Sequence, residues 1–342
     1  MSNTVFPWLE DSWLQLQQLR ARLPHAILFY GPEGIGKTDF VESFAQSLLC
    51  ENVQSDGHAC GACASCGWFS QYNHPDYRRV RPEILDGDDA ADDGEGEEKK
   101  TGKASKTPSK EIKIDQIRAL SDFMNISTHR SGMRVVVLYP AEALNTAAAN
   151  SLLKTLEEPP PSTMFLLVSN RLDRLLPTIL SRCRKFALAL PSHDEGLAWL
   201  KQQNVKDADV WLSEQGGAPL AAFNASQGDS RETMDEFLRS LSHPGIDVAL
   251  KTAERLQKIP VADLVGWQQR WLYDLFSLKS GGPIRYYPRY GKELGALSGR
   301  VDTVTIASAL KAANDRRAIA DHPLSARLFI EEMLIEYSSL FA

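Results

Sequence analysis

Nowhere in its 342 residues does this chain carry an apolar run near the roughly 20 positions that span a bilayer, so no transmembrane helix is predicted. A secretory signal is missing as well: Met1 to Leu14 mixes acids with tryptophans, where a signal would show a basic start and an apolar core. There is no excess of positive charge. Thirty-eight Lys and Arg stand against 44 Asp and Glu, a net charge of −6, so any grip on nucleic acid must come from a local patch. Cysteine is scarce, and four of the five cysteines crowd between Cys50 and Cys66. That clustering fits a metal site in a reducing compartment better than a disulfide framework, and the chain is predicted to be cytoplasmic. The apolar share of 43% is enough to core two or three domains.

One further absence carries chemistry. Gly31-Pro-Glu-Gly34-Ile-Gly36-Lys37-Thr38 is a complete phosphate-binding loop. The apolar run Ala26 to Tyr30 precedes it, and Phe40, Val41, Phe44, Ala45 and Leu48 follow at helical spacing. Strand, glycine turn and helix in that order are the setting such a loop requires, with amides and lysine holding phosphate. A hydrolase also needs an acidic pair at the end of a neighbouring strand, to manage Mg²⁺ and the attacking water. Here the apolar strand Val135 to Tyr139 runs into Tyr139-Pro140 instead. The cradle is present and the acids are not.

Ile84 to Lys110 is nearly free of apolar residues and is predicted to be a disordered insertion, most simply a solvated loop. Half of the chain's net charge sits there, since eight carboxylates between Asp86 and Glu98 meet only five lysines between Lys99 and Lys110. Ile112 to Met124 reads as an amphipathic helix. Asn145 is placed to cap another, whose apolar face is Ala149, Leu152, Leu153 and Leu156 and which Pro159-Pro160-Pro161 stops. Met164 to Ser169 reads as a buried strand, Pro177 as the start of a short helix through Cys183, and Phe186, Leu188 and Leu190 as a last strand. Alternating strands and helices predict a parallel sheet covered on both faces. Beyond Pro191 only helices are predicted, with Gly216-Gly217 breaking two of them. Leu264, Trp267, Trp271 and Leu275 form one apolar stripe that reads as core or subunit interface, and Leu328 to Tyr337 ends the chain similarly.

Cys50, Cys60, Cys63 and Cys66 supply four thiolates, and the glycines at 57, 61 and 67 permit tight turns. Four sulfurs make a closed tetrahedral Zn²⁺ site with a structural role. An iron–sulfur cluster is the rival, but its fourth cysteine is expected downstream and before a proline, whereas here it precedes the triplet. His58 and His74 lie nearby and are not needed to complete the shell.

Ser151-Leu-Leu-Lys-Thr-Leu-Glu-Glu-Pro-Pro160, Pro177-Thr-Ile-Leu-Ser-Arg-Cys183 and the cysteine cluster behind the P-loop helix together resemble the AAA+ subunits of bacterial clamp loaders, over most of residues 5 to 230. The resemblance implies an α/β P-loop (AAA+) domain over 1–190, carrying the zinc module at 50–66 and the acidic insert at 84–110. A small helical lid domain over 191–230 and an all-α collar for oligomerisation over 231–342 would follow. Within that family the motor's Asp-Glu pair falls on Tyr139 and Pro140, and Leu220 replaces the sensing arginine after Gly217. Both departures resemble the non-hydrolysing delta-prime subunits rather than the gamma/tau motor.

The same resemblance makes Arg182 an arginine finger acting in trans on a neighbour's ATP, the plain alternative being a surface or ion-paired arginine. It names gamma/tau ATPase subunits, delta, the beta sliding clamp and primer-template DNA as partners in a hetero-oligomeric ring. Arg130, Arg134 and the Arg78-Arg79-Val80-Arg81 run are candidates for DNA phosphates, although ion pairing or solvation is the favoured reading of each. Gly31, Gly34, Gly36, Lys37 and Thr38 remain able to hold ATP or ADP with Mg²⁺ without hydrolysis, or else persist as a vestigial turn. The rival activity is a self-sufficient ATPase that borrows Glu142 as its acid. A second rival is a zinc-dependent binding module on a dead nucleotide fold.

Overall fold

The computed structural model describes residues 5–86, 108–125, 128–129, 132–228, 230–320 and 325–341. The chain divides into two compact units, Met1–Pro191 and Ser192–Ala342. Among the described residues no helix is long and apolar enough to cross a membrane.

The first unit is built on a five-stranded sheet. In chain order its elements are α1 (Glu10–Gln18), β1 (Ala26–Tyr30), α2 (Lys37–Leu49), α3 (Ala64–Ser70), β2 (Tyr77–Val80), α4 (Ile114–Asn125), β3 (Arg134–Leu138), α5 (Thr146–Glu157), β4 (Thr163–Ser169), α6 (Pro177–Arg182) and β5 (Arg184–Ala187). The strand order is β2-β3-β4-β1-β5 and every pairing is parallel. β3 and β4 are buried along their whole length, as strands covered on both faces must be. Successive side chains alternate between the two faces. Leu28, Val136, Leu138, Phe165 and Leu167 share one core with Leu120 of α4, Leu152 and Leu156 of α5 and Ile179 of α6. On β1 the alternate residue Phe29 meets Phe40 of α2 and Phe186 of β5 in ring contacts with centroids 5.4–6.0 Å apart. Asn145 caps α5 by accepting the Ala148 N–H at 2.9 Å.

Three expectations need correction. The strand predicted from Phe186 to Leu190 ends at Ala187, because the chain then crosses the glycine loop: the Leu188 carbonyl oxygen lies 2.1 Å from where a Cβ on Gly31 would sit. Tyr139 lies just beyond β3. The insertion is narrower than 84–110, because a 3₁₀ turn forms at Glu83–Leu85 and the Ile84 N–H donates to the Ser109 carbonyl at 3.1 Å. Glu83 also pairs with Lys113 at 2.7 Å. The rest of the predicted insertion, 87–107, lies outside the described residues.

The second unit is entirely helical among its described residues: α7 (His193–Gln202), α8 (Ala208–Glu214), α9 (Pro219–Gln227), α10 (Ser230–Ser242), α11 (Ile246–Leu256), α12 (Val261–Lys279), α13 (Gly291–Arg300), α14 (Thr303–Ile319) and α15 (Ala326–Ser339). Leu200, Ala208, Trp211, Leu212 and Ala222 form a small core for α7–α9. A larger core surrounds α12, where the stripe Leu264, Trp267, Trp271 and Leu275 is buried as the sequence pattern requires. Several polar groups inside that core are paired. Trp271 Nε1 donates to the Tyr337 hydroxyl at 2.8 Å, which in turn donates to the Leu241 carbonyl at 2.9 Å. The fully buried carboxylate of Asp274 accepts the N–H groups of Arg285, Tyr286 and Tyr287 at 2.8–3.0 Å.

Asp274→Ala would strand three backbone donors, and a loss of about 3 kcal/mol or more is expected. Urea unfolding checks this, and a variant within 0.5 kcal/mol of wild type, a band that surface changes occupy, would contradict it.

Candidate nucleotide cradle and metal centre

The glycine loop leaves β1 and enters α2 through two left-handed residues, Gly34 at φ 77° and Gly36 at φ 85°. Side chains strain at such angles, and Gly31 has no room for one against Leu188. Ile35 between them is fully buried, and its carbonyl accepts the Trp8 indole N–H at 3.0 Å, which fixes the apex of the loop. Gly31, Gly34, Gly36, Lys37 and Thr38 are thus brought into one turn at the positive end of a 13-residue helix. Lys37 is only 4% exposed and donates to the Pro32 carbonyl at 2.5 Å. Burial pulls its ammonium down to about 8, partly opposed by the charges of Glu33 and Glu142. An anion in the cradle would compete with Pro32 for that ammonium.

The end of β3 offers no carboxylate. Tyr139 donates its N–H to the Val80 carbonyl at 3.0 Å and is joined to Pro140 by a cis peptide. Its phenol is pushed up to about 12 by burial first and then by the charge of Glu42. Glu42 lies one turn after Thr38 on α2, the spacing that puts two side chains on one helix face. Its Oε2 accepts from the Tyr77 hydroxyl at 2.5 Å, while Oε1 is buried with no hydrogen-bond partner among the described residues. Burial pushes this carboxyl up to about 7, against the pull of Tyr77, Arg79 and Arg81.

A second carboxylate, from another element, acts on Lys37 through its charge. Glu142 sits on the short turn Ala141–Ala143, and its Oε1 accepts the Asn170 N–H at 3.0 Å. Ser169 is fully buried at the end of β4, its hydroxyl accepting the Arg171 N–H at 3.1 Å. Leu220 lies on the first turn of α9.

Arg182 is the last residue of α6. Its guanidinium donates to the Thr178 carbonyl at 3.0 Å and pairs with Glu157 at the end of α5. Its side chain is one-third exposed, at 33%. Cys183 beside it is buried, and burial pushes its thiol up to about 11, as suits a small apolar residue.

Cys50, Cys60, Cys63 and Cys66 converge, with all four sulfurs within 4.8 Å of one another. Cys50 Sγ to Cys63 Sγ is 3.9 Å and Cys60 Sγ to Cys66 Sγ is 4.0 Å. Thiolates at about 2.3 Å from one tetrahedral ion stand about 3.8 Å apart, so the set fits a metal ion. Backbone N–H groups point at the sulfurs, from Cys60 to Cys50 at 3.2 Å and from Cys63 to Cys60 at 3.4 Å. Such donors favour the thiolate, and Cys60 is held down to about 6, the Ala62 N–H acting most strongly, whereas burial pushes the Cys50 and Cys66 thiols up. Neither nearby histidine belongs to this set. His58 stacks on Trp13 at 4.2 Å, and His74 is buried, with Nε2 on Ser65 at 2.7 Å and Nδ1 accepting the Asp76 N–H at 3.0 Å.

Residues 12–192 match the family described as "DNA polymerase III, delta subunit". The DNA polymerase III subunit delta' of Pseudomonas aeruginosa is 33% identical over 98% of this chain and 98% of its own. The chain belongs to the delta' family of DNA polymerase III subunits. The Escherichia coli delta' is 31% identical over 70% of this chain and 66% of its own length. A gamma subunit-related protein from Thermotoga maritima, of known structure, aligns over 97% of this chain and 100% of its own at 17% identity, with a TM-score of 0.43.

The described arginines among those proposed for DNA phosphates in this delta' family member are packed or paired within the chain. Arg78 lies over the Phe123 ring at 4.3 Å and Arg79 over Tyr72 at 3.7 Å. Arg81 pairs with Asp86 at 2.7 Å, Arg134 is buried, and Arg130 lies outside the described residues. Sequence reading overlooked Glu42 and Trp8. The spacing of Glu42 from Thr38 was a usable signal; nothing near Trp8 pointed to a carbonyl 27 residues away.

Two measurements test these assignments. Elemental analysis is expected to find one metal ion per chain, and Cys63→Ala is expected to lose it and to melt several degrees lower; a metal-free wild type would contradict the site. Glu42 is raised in the fold from 4.5 to about 7, so the folded state holds a proton that the unfolded chain has released between those values. Stability therefore falls as pH rises through that window. Glu42→Gln should flatten the dependence and gain up to about 3 kcal/mol over wild type at pH 8, read from urea unfolding at pH 5 and 8. Parallel curves for the two proteins would show that Glu42 titrates normally.

Proposed function

We propose that this chain is a non-hydrolysing subunit of a clamp loader, which helps to place a sliding clamp on primed DNA during replication. One observation carries the reading: a complete phosphate cradle is retained while the strand end that should bear the catalytic acids bears Tyr139 and Pro140. Membership of the delta' family supports it, as do relatives named as subunits of DNA polymerase III. On this reading Gly31, Gly34, Gly36, Lys37 and Thr38 hold ATP or ADP with Mg²⁺ without turning it over. Zn²⁺ occupies the four-cysteine site and staples the end of α2 to the segment that follows. Three domains are proposed, with the lid over 191–230 and the collar over 231–342, in a cytoplasmic hetero-oligomer with gamma/tau, delta, the beta clamp and primer-template DNA.

Arg182 is proposed to act in trans. A guanidinium keeps its charge and meets phosphate oxygens with two parallel donors. Its partner in the isolated chain, Glu157, is half exposed, and such ion pairs contribute at most about 1 kcal/mol, so exchange for a neighbour's phosphate is cheap. Arginine fingers accelerate phosphoryl transfer by about 10³ to 10⁵ in related systems. A gamma/tau-like ATPase using Glu142 is the second reading, favoured by the position of that carboxylate near Lys37. It requires turnover by the isolated chain.

The deciding assay is ATP turnover by the reconstituted loader with clamp and primed DNA, comparing wild type with Arg182→Ala. A loss of at least a hundredfold is expected, with the complex intact by size-exclusion chromatography. Unchanged turnover would remove Arg182 from the chemistry and leave the chain a scaffold.

A further inference from the structure

We infer that Glu142 supplies the carboxylate that the end of β3 lacks, held by the Asn170 N–H beside the start of the loop, and that it makes phosphate binding conditional on a divalent cation. The inference rests on the proposal that the loop holds nucleotide, and it adds the ionic form of the ligand: the magnesium complex of a nucleoside diphosphate or triphosphate, and not the free anion.

The placement follows from strand register. β1 and β4 pair with Tyr30 opposite Ser169, so the next residues, Gly31 and Asn170, leave the sheet side by side. Gly31 opens the phosphate loop. The Asn170 N–H is taken by Glu142 Oε1 at 3.0 Å, which places the carboxylate, carried in from the β3 side, at the residue that leaves the sheet beside Gly31. The second oxygen, Oε2, is buried and has no hydrogen-bond partner among the described residues. A buried anionic oxygen left unsatisfied is costly, and a bound cation is one of the few groups that can satisfy it.

The charges around it are consistent with this role. Lys37 senses Glu142, and so does Arg171. Arg171 is already engaged by Asp173, at 3.1 Å and 2.7 Å, while Lys37 donates to Pro32. Glu33 adds a further negative charge near the lysine. A bare polyphosphate entering here meets one ammonium and two carboxylates, and Glu142 cannot move away without surrendering the Asn170 bond. A divalent ion between carboxylate and phosphate turns that repulsion into attraction, with the Thr38 hydroxyl on the first turn of α2 as a further oxygen donor. Glu142 would hold the metal, while the end of β3, where the acid that orients water is expected, carries Tyr139 and Pro140. Binding and hydrolysis are thereby separated.

Calorimetry with ADP tests this on the full chain, in 5 mM Mg²⁺ and in magnesium-free buffer, for wild type, Glu142→Gln, Glu142→Ala and Lys37→Ala. Wild type should bind at least about tenfold tighter with Mg²⁺. Glu142→Gln, which keeps an acceptor for the Asn170 N–H, should bind free ADP about tenfold tighter than wild type does and lose the magnesium dependence. Glu142→Ala should behave alike, with melting curves recorded for both. Lys37→Ala should abolish the heat, locating it in the cradle. Wild type that binds free ADP as tightly as Mg·ADP overturns the inference, whatever the variants do. ADP binding whose magnesium dependence survives in Glu142→Gln also overturns it while leaving the nucleotide reading intact. No binding to any protein in either buffer overturns both.

Discussion

Parallel pairing of all five strands brings their carboxyl ends out along a single edge, and the chemistry of the first unit hangs from that edge. Gly31 follows β1, Arg81 closely follows β2, Tyr139 follows β3, Asn170 follows β4 and Leu188 closely follows β5. The sheet itself is held by apolar side chains on both faces and is indifferent to what its strand ends carry. Catalytic acids can therefore be exchanged for a tyrosine and a proline with no penalty to the framework. The loop is less free, because the Leu188 carbonyl presses on Gly31 and allows no side chain there. A glycine can thus persist for packing reasons alone, long after any chemistry that once used it.

The two candidate sites sit at opposite ends of one helix. α2 begins with Lys37 and ends at Leu49, next to the first cysteine of the metal set. The N-terminal segment ties both ends down: Trp8 donates to the loop at Ile35, and Trp13 donates to the Asp56 carbonyl at 3.0 Å while stacking on His58. Arg20 joins the same clamp through the Ser47 carbonyl at 2.8 Å. Gly57 fits beneath Gln17 where a Cβ would lie 2.3 Å from the amide carbon, so this contact too depends on a glycine. α2 and this segment thus connect the cysteine module to the cradle through a continuous set of contacts.

Much of this architecture was legible because buried parallel strands write themselves as continuous apolar runs, as Ala26–Tyr30 and Thr163–Ser169 do. β2 was not legible. It is an edge strand spelled Tyr-Arg-Arg-Val, whose arginines suggested a surface patch while their stems and guanidinium groups cover Phe123 and Tyr72. The alternation of Phe186, Leu188 and Leu190 misled for a different reason: Leu188 is buried by packing over the glycine loop, which carries the same apolar signature as a strand position. Cysteine spacing pointed to the four thiols that converge, since residues close in sequence need only tight turns to meet. Glu142 was visible only as a nearby acid. Its contact with Asn170 depends on strand order, which local patterns do not encode.

The bridge between Ile84 and Ser109 has a consequence for how this unit is anchored. Entry and exit of the intervening segment are fastened to each other, by that bond and by the Glu83–Lys113 pair, before the chain returns to α4. The turn after β2 and the approach to α4 are therefore anchored to each other by contacts among the described residues themselves, so that corner of the unit is held locally by Glu83, Ile84, Ser109 and Lys113.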